Sequence, residues 1–303
     1  MNLSLGILTC YCLGALFYWR VVSIIPPFIN FILFLALWRI PESPLWLLSN
    51  RGAEECREAL QWLRGTKDVS EEISQIEAVK EQQSHGLTML EAFRNLSRPD
   101  VRKPFILIAF NEFIVAFSGP LAIIYYSVGI FENTGVSLDK YLASIIVAAI
   151  LVMGGVLGTF LVQRLPRVRL AMVSMTLMSV SMAVLGGVLY IKTDSTVVEV
   201  VPVISVTVYM FCYGAGVSQL QGVFLGELLP REYIVLAGFI RVILNISLFV
   251  VTKTFPFLLV ILSPPGTYWL FSAISLASNV FYFFFMPETR GKTALEVKQI
   301  FTK

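Results

Sequence analysis

Residues 41–65 read PESPLWLLSNRGAEECREALQWLRG. Membrane-grade apolar sequence lies ahead of them, and behind them the chain turns charged and helical. Pro41 and Pro44 each lack an N–H and restrict the residue before them, so no helix runs through this point. The prolines end one apolar segment, Glu42 and Ser43 supply polar groups, and a second, shorter helix begins. The stretch is a hinge between a membrane span and a surface helix.

Composition extends that reading to the whole chain. Of 303 residues 56% are hydrophobic and 14% charged, with a mean hydropathy of +0.76. Soluble domains carry about 25% charged residues. A helix needs roughly 20 apolar residues to cross the hydrocarbon core. Eight segments qualify, at 3–19, 21–39, 104–131, 141–162, 170–191, 200–226, 234–261 and 267–286. The first two are short and nearly contiguous, which predicts a tight helical hairpin. Continuous apolar runs argue against a β-barrel, whose strands alternate over roughly ten residues. No basic region precedes the first run and a second span follows at once, so it does not read as a cleaved signal.

Of 23 Lys and Arg residues, seventeen fall in 41–103, in 163–169, at Arg231 and in the tail, all on one side of an eight-span topology. Only Arg20, Lys140 and Lys192 fall opposite. The positive-inside rule then places both termini and residues 41–103 in the cytoplasm. The net charge of +3 reflects this topology and carries no sign of nucleic-acid binding. Cys10, Cys12, Cys56 and Cys212 have no disulfide or zinc spacing, and the single histidine, His85, leaves metal and Ser-His chemistry without support. No cofactor, metal or enzyme activity is expected.

Four regions follow: two spans in 1–40, a cytoplasmic region 41–103 of short amphipathic helices, six spans in 104–286, and a cytoplasmic tail 287–303. Ala53, Cys56, Leu60 and Leu63 form one expected stripe, and Ile73, Ile76 and Val79 a second. Ser70 is an expected N-cap, and Thr88–Glu91 an expected capping box. Gly154-x-x-x-Gly158 and Gly222-x-x-x-Gly226 read as seams for close helix packing.

PESPLWLL at 41–48 and PETRG at 287–291 resemble the PESPRWL and PET-x-G signatures of the sugar porter family of the major facilitator superfamily. FSGPLAIIYYSVGIF at 117–131 and GELLP at 226–230 are similar to that family's spans seven and ten. ALQWLRG and VRKPF look most like insect facilitated trehalose transporters. The resemblance begins in the middle of family span five. It implies an all-α, major-facilitator-type bundle of about eight transmembrane helices: a complete C-terminal six-helix bundle plus two helices of the N-terminal one. The implied partners are the lipid bilayer, a sugar (trehalose or a hexose) with or without a coupled proton, and the missing N-terminal spans or another chain. The implied location is the plasma membrane. Alternating access needs two halves about one site, so this chain by itself is not expected to transport.

The resemblance also implies an inner gate of ion pairs, for which Glu227 and Arg164 match the family pattern, with Arg167 beside them. Ile234, Pro166 and Val168 replace the family's usual residues there, which would weaken the gate. Headgroup-level anchoring is the alternative for these charges. Ser118-Gly119-Pro120 interrupts the third span, and such breaks line cavities in transporters. Ser118, Gly119, Tyr125 and Tyr126 are therefore candidates for the substrate path, the tyrosines serving as sugar-stacking or gating groups or else as part of an aromatic belt. Val115, Ala116, Leu121 and Gly222 stand where the family carries two glutamines, an asparagine and a tryptophan. Remaining polar candidates are Asn111, Glu112, Gln219, Gln221 and Asn245, with Gln219 and Gln221 lining the path or making interhelical hydrogen bonds. A non-transporting membrane protein (a sensor, a partner-binding derivative or an inactive copy) is the competing expectation.

Overall fold

The computed structural model describes residues 2–83, 89–133, 139–191, 196–230 and 233–302. The His85, Thr88 and Arg231 side chains, and with them the capping box expected at Thr88, lie outside these. Fifteen α-helices run in order: α1 Asn2–Leu16, α2 Trp19–Leu37, α3 Pro44–Asn50, α4 Ala53–Arg64, α5 Ser70–Gln83, α6 Met89–Arg94, α7 Pro99–Phe117, α8 Pro120–Asn133, α9 Lys140–Arg164, α10 Arg167–Ile191, α11 Thr196–Cys212, α12 Ser218–Leu228, α13 Ile234–Ile261, α14 Ser263–Phe284 and α15 Ala294–Thr302. No strand occurs among the described residues.

Each expected span falls on helix, with 104–131 broken at Ser118–Gly119 and 3–19 ending its helix at Leu16. Among the described residues, six helical stretches are long and apolar enough to cross a membrane: Trp19–Leu37, Pro99–Glu132, Lys140–Arg164, Arg167–Ile191, Val200–Leu228 and Val235–Ile261. α1 is shorter, and α14, though 22 residues long, dilutes its apolar surface with Thr267, Ser272, Ser275, Ser278 and Asn279. The chain divides into two compact units, one of Met1–Leu16 with Met89–Lys303 and one of Phe17–Thr88.

Within the smaller unit, α2 ends at Leu37 and Pro44 occupies the first turn of α3, a position where a missing N–H costs nothing. Leu47, Leu48, Cys56, Ala59, Leu60, Val69 and Ile73 form its core. Two details correct the expected stripe and cap. Ala53 and Leu63 are exposed and Ala59 is buried, because the buried face of α4 turns toward α3. Ser70 is the first residue of α5, and Asp68 Oδ1 accepts from both its N–H (3.3 Å) and its hydroxyl (3.0 Å). Gly65 closes α4 in the left-handed region at φ 68°.

In the larger unit, α9 meets the span formed by α11 and α12 backbone to backbone. A Cβ on Gly154 would lie 2.6 Å from the Phe211 carbonyl oxygen, and one on Gly158 would lie 2.6 Å from that of Ala215. On the other side, a Cβ on Gly214 would lie 2.8 Å from the Leu151 oxygen. Residues Tyr213–Val217 form a π-helical turn at this contact. The expected seam at Gly154 and Gly158 therefore exists. The one expected at Gly222 and Gly226 does not, since a Cβ at either meets nothing within 4 Å. The α10–α14 contact uses serine instead: Ser179 Oγ donates to the Ser272 carbonyl at 2.9 Å and Ser272 Oγ to the Ser179 carbonyl at 2.8 Å. α1 packs on α9, where Ser127 Oγ lies 2.8 Å from the Tyr11 hydroxyl and 3.1 Å from Ser144 Oγ.

α15 opens with a reciprocal cap. The Thr293 N–H donates to Glu296 Oε2 at 2.7 Å, and the Glu296 N–H donates to Thr293 Oγ1 at 3.4 Å. The Thr293 backbone N–H holds the Glu296 carboxyl below the ordinary glutamate range. A depressed value stabilises above the unfolded-state value and is lost as pH falls through the folded one. Acidification through the carboxylate range should therefore fray α15 in the wild type, while Glu296→Gln loses most of that pH dependence, as read by protease cleavage of the tail. Gly158→Val should lower stability by about 1–3 kcal/mol through overpacking, whereas Gly222→Ala is neutral or stabilising. Thermal unfolding in detergent separates the two.

Candidate functional site

The carboxylate of Glu227 sits at the last turn of α12, at one end of the bundle. Arg167 Nη2 donates to Glu227 Oε1 at 3.0 Å, and Thr289 Oγ1 donates to Oε2 at 2.5 Å. Both charged side chains are largely withdrawn from solvent, Arg167 at 14% and Glu227 at 32% exposure. Arg167 Nη1 also donates to the Val162 carbonyl at 2.6 Å. Next to it, Glu288 accepts from the backbone N–H groups of Arg167 (3.0 Å) and Val168 (3.1 Å). These are the first free amides of α10, where a carboxylate satisfies donors and opposes the positive end of the helix dipole.

Glu288 and Thr289 both belong to PETRG. The signature is thus a clasp whose two polar side chains bind the α9–α10 turn and the end of α12. Arg164 takes no part: it is exposed and makes no ion pair with a described residue, because α9 ends there with its side chain turned outward. Of the expected gate residues, Glu227 and Arg167 are brought together and Arg164 is not. Below the clasp, Asp100, Glu227, Thr289, Lys292 and Lys298 contribute to a 490 Å³ cavity. Asp100 is buried and held by Arg98 at 2.9 Å.

The break between α7 and α8 is internal. Ser118 and Gly119 are buried. Ser118 Oγ donates to the Val115 carbonyl at 2.8 Å, and the Tyr209 hydroxyl donates to the Ser118 carbonyl at 2.7 Å. Gly119 has φ 97°, and the Phe271 ring lies 2.7 Å from where its Cβ would be. The break is packed. It seats Phe271, and Tyr209 satisfies the carbonyl it frees, a partner that sequence spacing gave no means of finding.

Tyr125 and Tyr126 separate. Tyr125 is 66% exposed. Tyr126 packs on Phe255 with ring centroids 5.1 Å apart, and Phe255 stacks on Phe271 at 6.0 Å. Tyr126 also borders a 1270 Å³ cavity together with Tyr190, Phe255, Ser263 and Tyr268. This cavity opens at the start of α14, the end of that helix remote from PETRG. Gln219 leans against Gly155 and Gly158 of α9. Gln221 is buried, with its amide 2.5 Å from Glu112 Oε2. Asn245 is exposed and donates to the Arg241 carbonyl at 2.8 Å. The expected path residues thus lie at separate places, and Gln221 makes an interhelical hydrogen bond. Near it, buried Asn111 accepts from the Tyr282 hydroxyl at 2.8 Å.

Residues 1–301 match the family model described as sugar (and other) transporter. The facilitated trehalose transporter Tret1 of Apis mellifera ligustica is 32% identical over 300 residues, which are 98% of this chain and 60% of that protein. The Tret1-2 homolog of Drosophila sechellia is 32% identical over 305 residues, covering 98% and 62%. In three dimensions the chain is similar to the inward-open xylose transporter XylE from E. coli, with a TM-score of 0.78 at 19% identity over 98% of this chain and 63% of that one. The chain thus spans about 60% of the length of these relatives.

Removing Arg167 leaves Glu227 facing the Thr289 hydroxyl, and removing Glu227 leaves Arg167 facing the Val162 carbonyl. Arg167→Gln and Glu227→Gln should each destabilise the bundle. A double-mutant cycle should return a coupling of about 1–3 kcal/mol, while Arg164→Gln changes nothing measurable.

Proposed function

This chain belongs to the sugar (and other) transporter family, and we propose that it moves a small sugar, trehalose or a hexose, across a membrane by alternating access. It is a multi-pass membrane protein with the major-facilitator fold. The observation that carries the proposal is the clasp at one end of the bundle. It joins the α9–α10 turn, the end of α12 and PETRG through one ion pair and three hydrogen bonds on two carboxylates.

Alternating access needs two lobes about one site, and residues 104–286 supply one of them. Residues 1–40 contribute two helices of the other. In this reading the clasp lies on the cytoplasmic side of the plasma membrane, with residues 41–103, the tail 287–303 and both termini. The basic residues around it favour that orientation. In this reading the Arg167–Glu227 pair and the Thr289 bond tie together the inner end of one lobe, and they loosen as the two lobes rock. Partial burial suits a gate, because a charge pair at 14% and 32% exposure holds while closed and is rehydrated when it separates. Arg164 then serves as a headgroup-level anchor.

The large cavity beside Tyr126 is this reading's outer vestibule. Its tyrosines offer ring faces for a sugar and hydroxyls for its polar groups. The amides missing at Val115, Ala116 and Leu121 leave sugar recognition to fewer hydrogen bonds, which points to weak affinity, since an unpartnered buried hydroxyl costs about 1–3 kcal/mol.

Cells expressing the protein, alone and joined to the portion of the Apis transporter that it does not match, should be tested with labelled trehalose and glucose. Saturable uptake of one of them is expected, in the joined form at least, and Glu227→Gln should reduce it severalfold. Uptake no greater than empty vector in both forms, with the protein present at the cell surface, overturns the proposal.

A further inference from the structure

Glu112 has no exposed surface and lies 13 residues into the span that starts at Pro99, roughly 20 Å along its axis. Only one of its carboxyl oxygens has a partner. Oε2 lies 2.5 Å from the Gln221 amide, and Oε1, fully buried, has none. An ionised carboxylate at such a place would leave a charged oxygen without a donor, among the costliest arrangements a membrane interior offers.

Protonation of the carboxyl removes that cost. The two ends of a glutamine amide are interchangeable by a half-turn. With that turn made, a protonated Glu112 donates from Oε2 to the Gln221 carbonyl oxygen, and Oε1 becomes a neutral carbonyl oxygen, the least demanding group to leave unpaired.

We propose that Glu112 is a proton-binding site on the inner face of α7, loaded when its carboxyl pairs with Gln221 and unloaded when the α7–α12 contact opens to water. Among the described residues, the groups that face it are few. Gln221 comes from α12, Tyr213 from the π turn, Tyr282 from α14 and Arg241 from α13, with Asn111 beside it on α7. Asn111 is engaged by Tyr282. Arg241 is the one cation among them. It acts on the carboxyl electrostatically without closing an ion pair. Loading takes one proton from water to make a neutral acid; unloading returns it and leaves a carboxylate that Arg241 can meet. The use of this proton in transport rests on the carrier reading above, and the site itself does not.

Infrared difference spectra of the full chain in lipid nanodiscs, recorded while pH is raised from acid to alkaline, test the site. The wild type should show a protonated-carboxyl C=O band at neutral pH that Glu112→Gln lacks. Gln221→Ala should move that band, since its hydrogen-bond partner is gone. Arg241→Gln removes the cation among these groups, so its band should persist to higher pH. Identical spectra for wild type and Glu112→Gln, or a band indifferent to Gln221→Ala, overturn the proposal. A failure of sugar uptake leaves these spectra unchanged, so the two ideas fall separately.

Discussion

Backbone groups inside a bilayer have no water to turn to, and the larger unit is organised round that constraint. Straight helices meet it without help. The interest lies where the helix is interrupted. Between α7 and α8 the freed Ser118 carbonyl is taken by the Tyr209 hydroxyl. Between α11 and α12 the chain avoids interruption by widening into a π turn. At the α10 entrance the free amides of Arg167 and Val168 are taken by Glu288. At the α7–α8 break and the α10 entrance a side chain replaces a missing backbone bond, and each replacement ties one helix to another part of the bundle. Satisfying the backbone and assembling the bundle are thus the same act.

What the sequence made legible follows from this. Spans, their order and the stop at Pro44 depend on length, apolarity and the chemistry of proline, which are local properties. The pairing of Glu227 was half legible. Its own place at the end of an apolar run was plain, but which arginine reaches it depends on how α9 and α10 turn. Arg164 and Arg167 are three residues apart on either side of Pro166, and the turn sends them in different directions. Glu288 and Thr289 were visible only as letters of a signature. Nothing in spacing says that one caps a helix more than a hundred residues earlier and the other bonds the end of α12. Glycine misled for a related reason. Gly154 and Gly222 look alike in sequence, yet only the first faces another backbone.

The break at Ser118–Gly119 shows the limit of reasoning from a motif to a role. A glycine followed by proline signals an irregular backbone, and the backbone is irregular. Whether that irregularity faces a cavity is decided by what packs against it. Here Phe271 occupies the space where a side chain would stand, and Tyr126, Phe255 and Phe271 continue as a row of rings from the break toward the open cavity. The break is then a means of letting α14 approach α7, and the aromatic row links a buried backbone kink to the surface that Tyr126 presents.

α12 carries the two most consequential polar contacts on one short helix. Gln221 faces Glu112 in the interior, and Glu227, six residues later and roughly 9 Å along the axis, faces Arg167 and Thr289 at the bundle's end. A segment of 11 residues moves as a rigid rod, and the π turn before it is a site where the backbone hydrogen-bond pattern changes from one register to another. Gln221 and Glu227 ride on the same helix, so a shift or tilt of α12 acts on both contacts. The clasp and the buried carboxyl are consequently not independent.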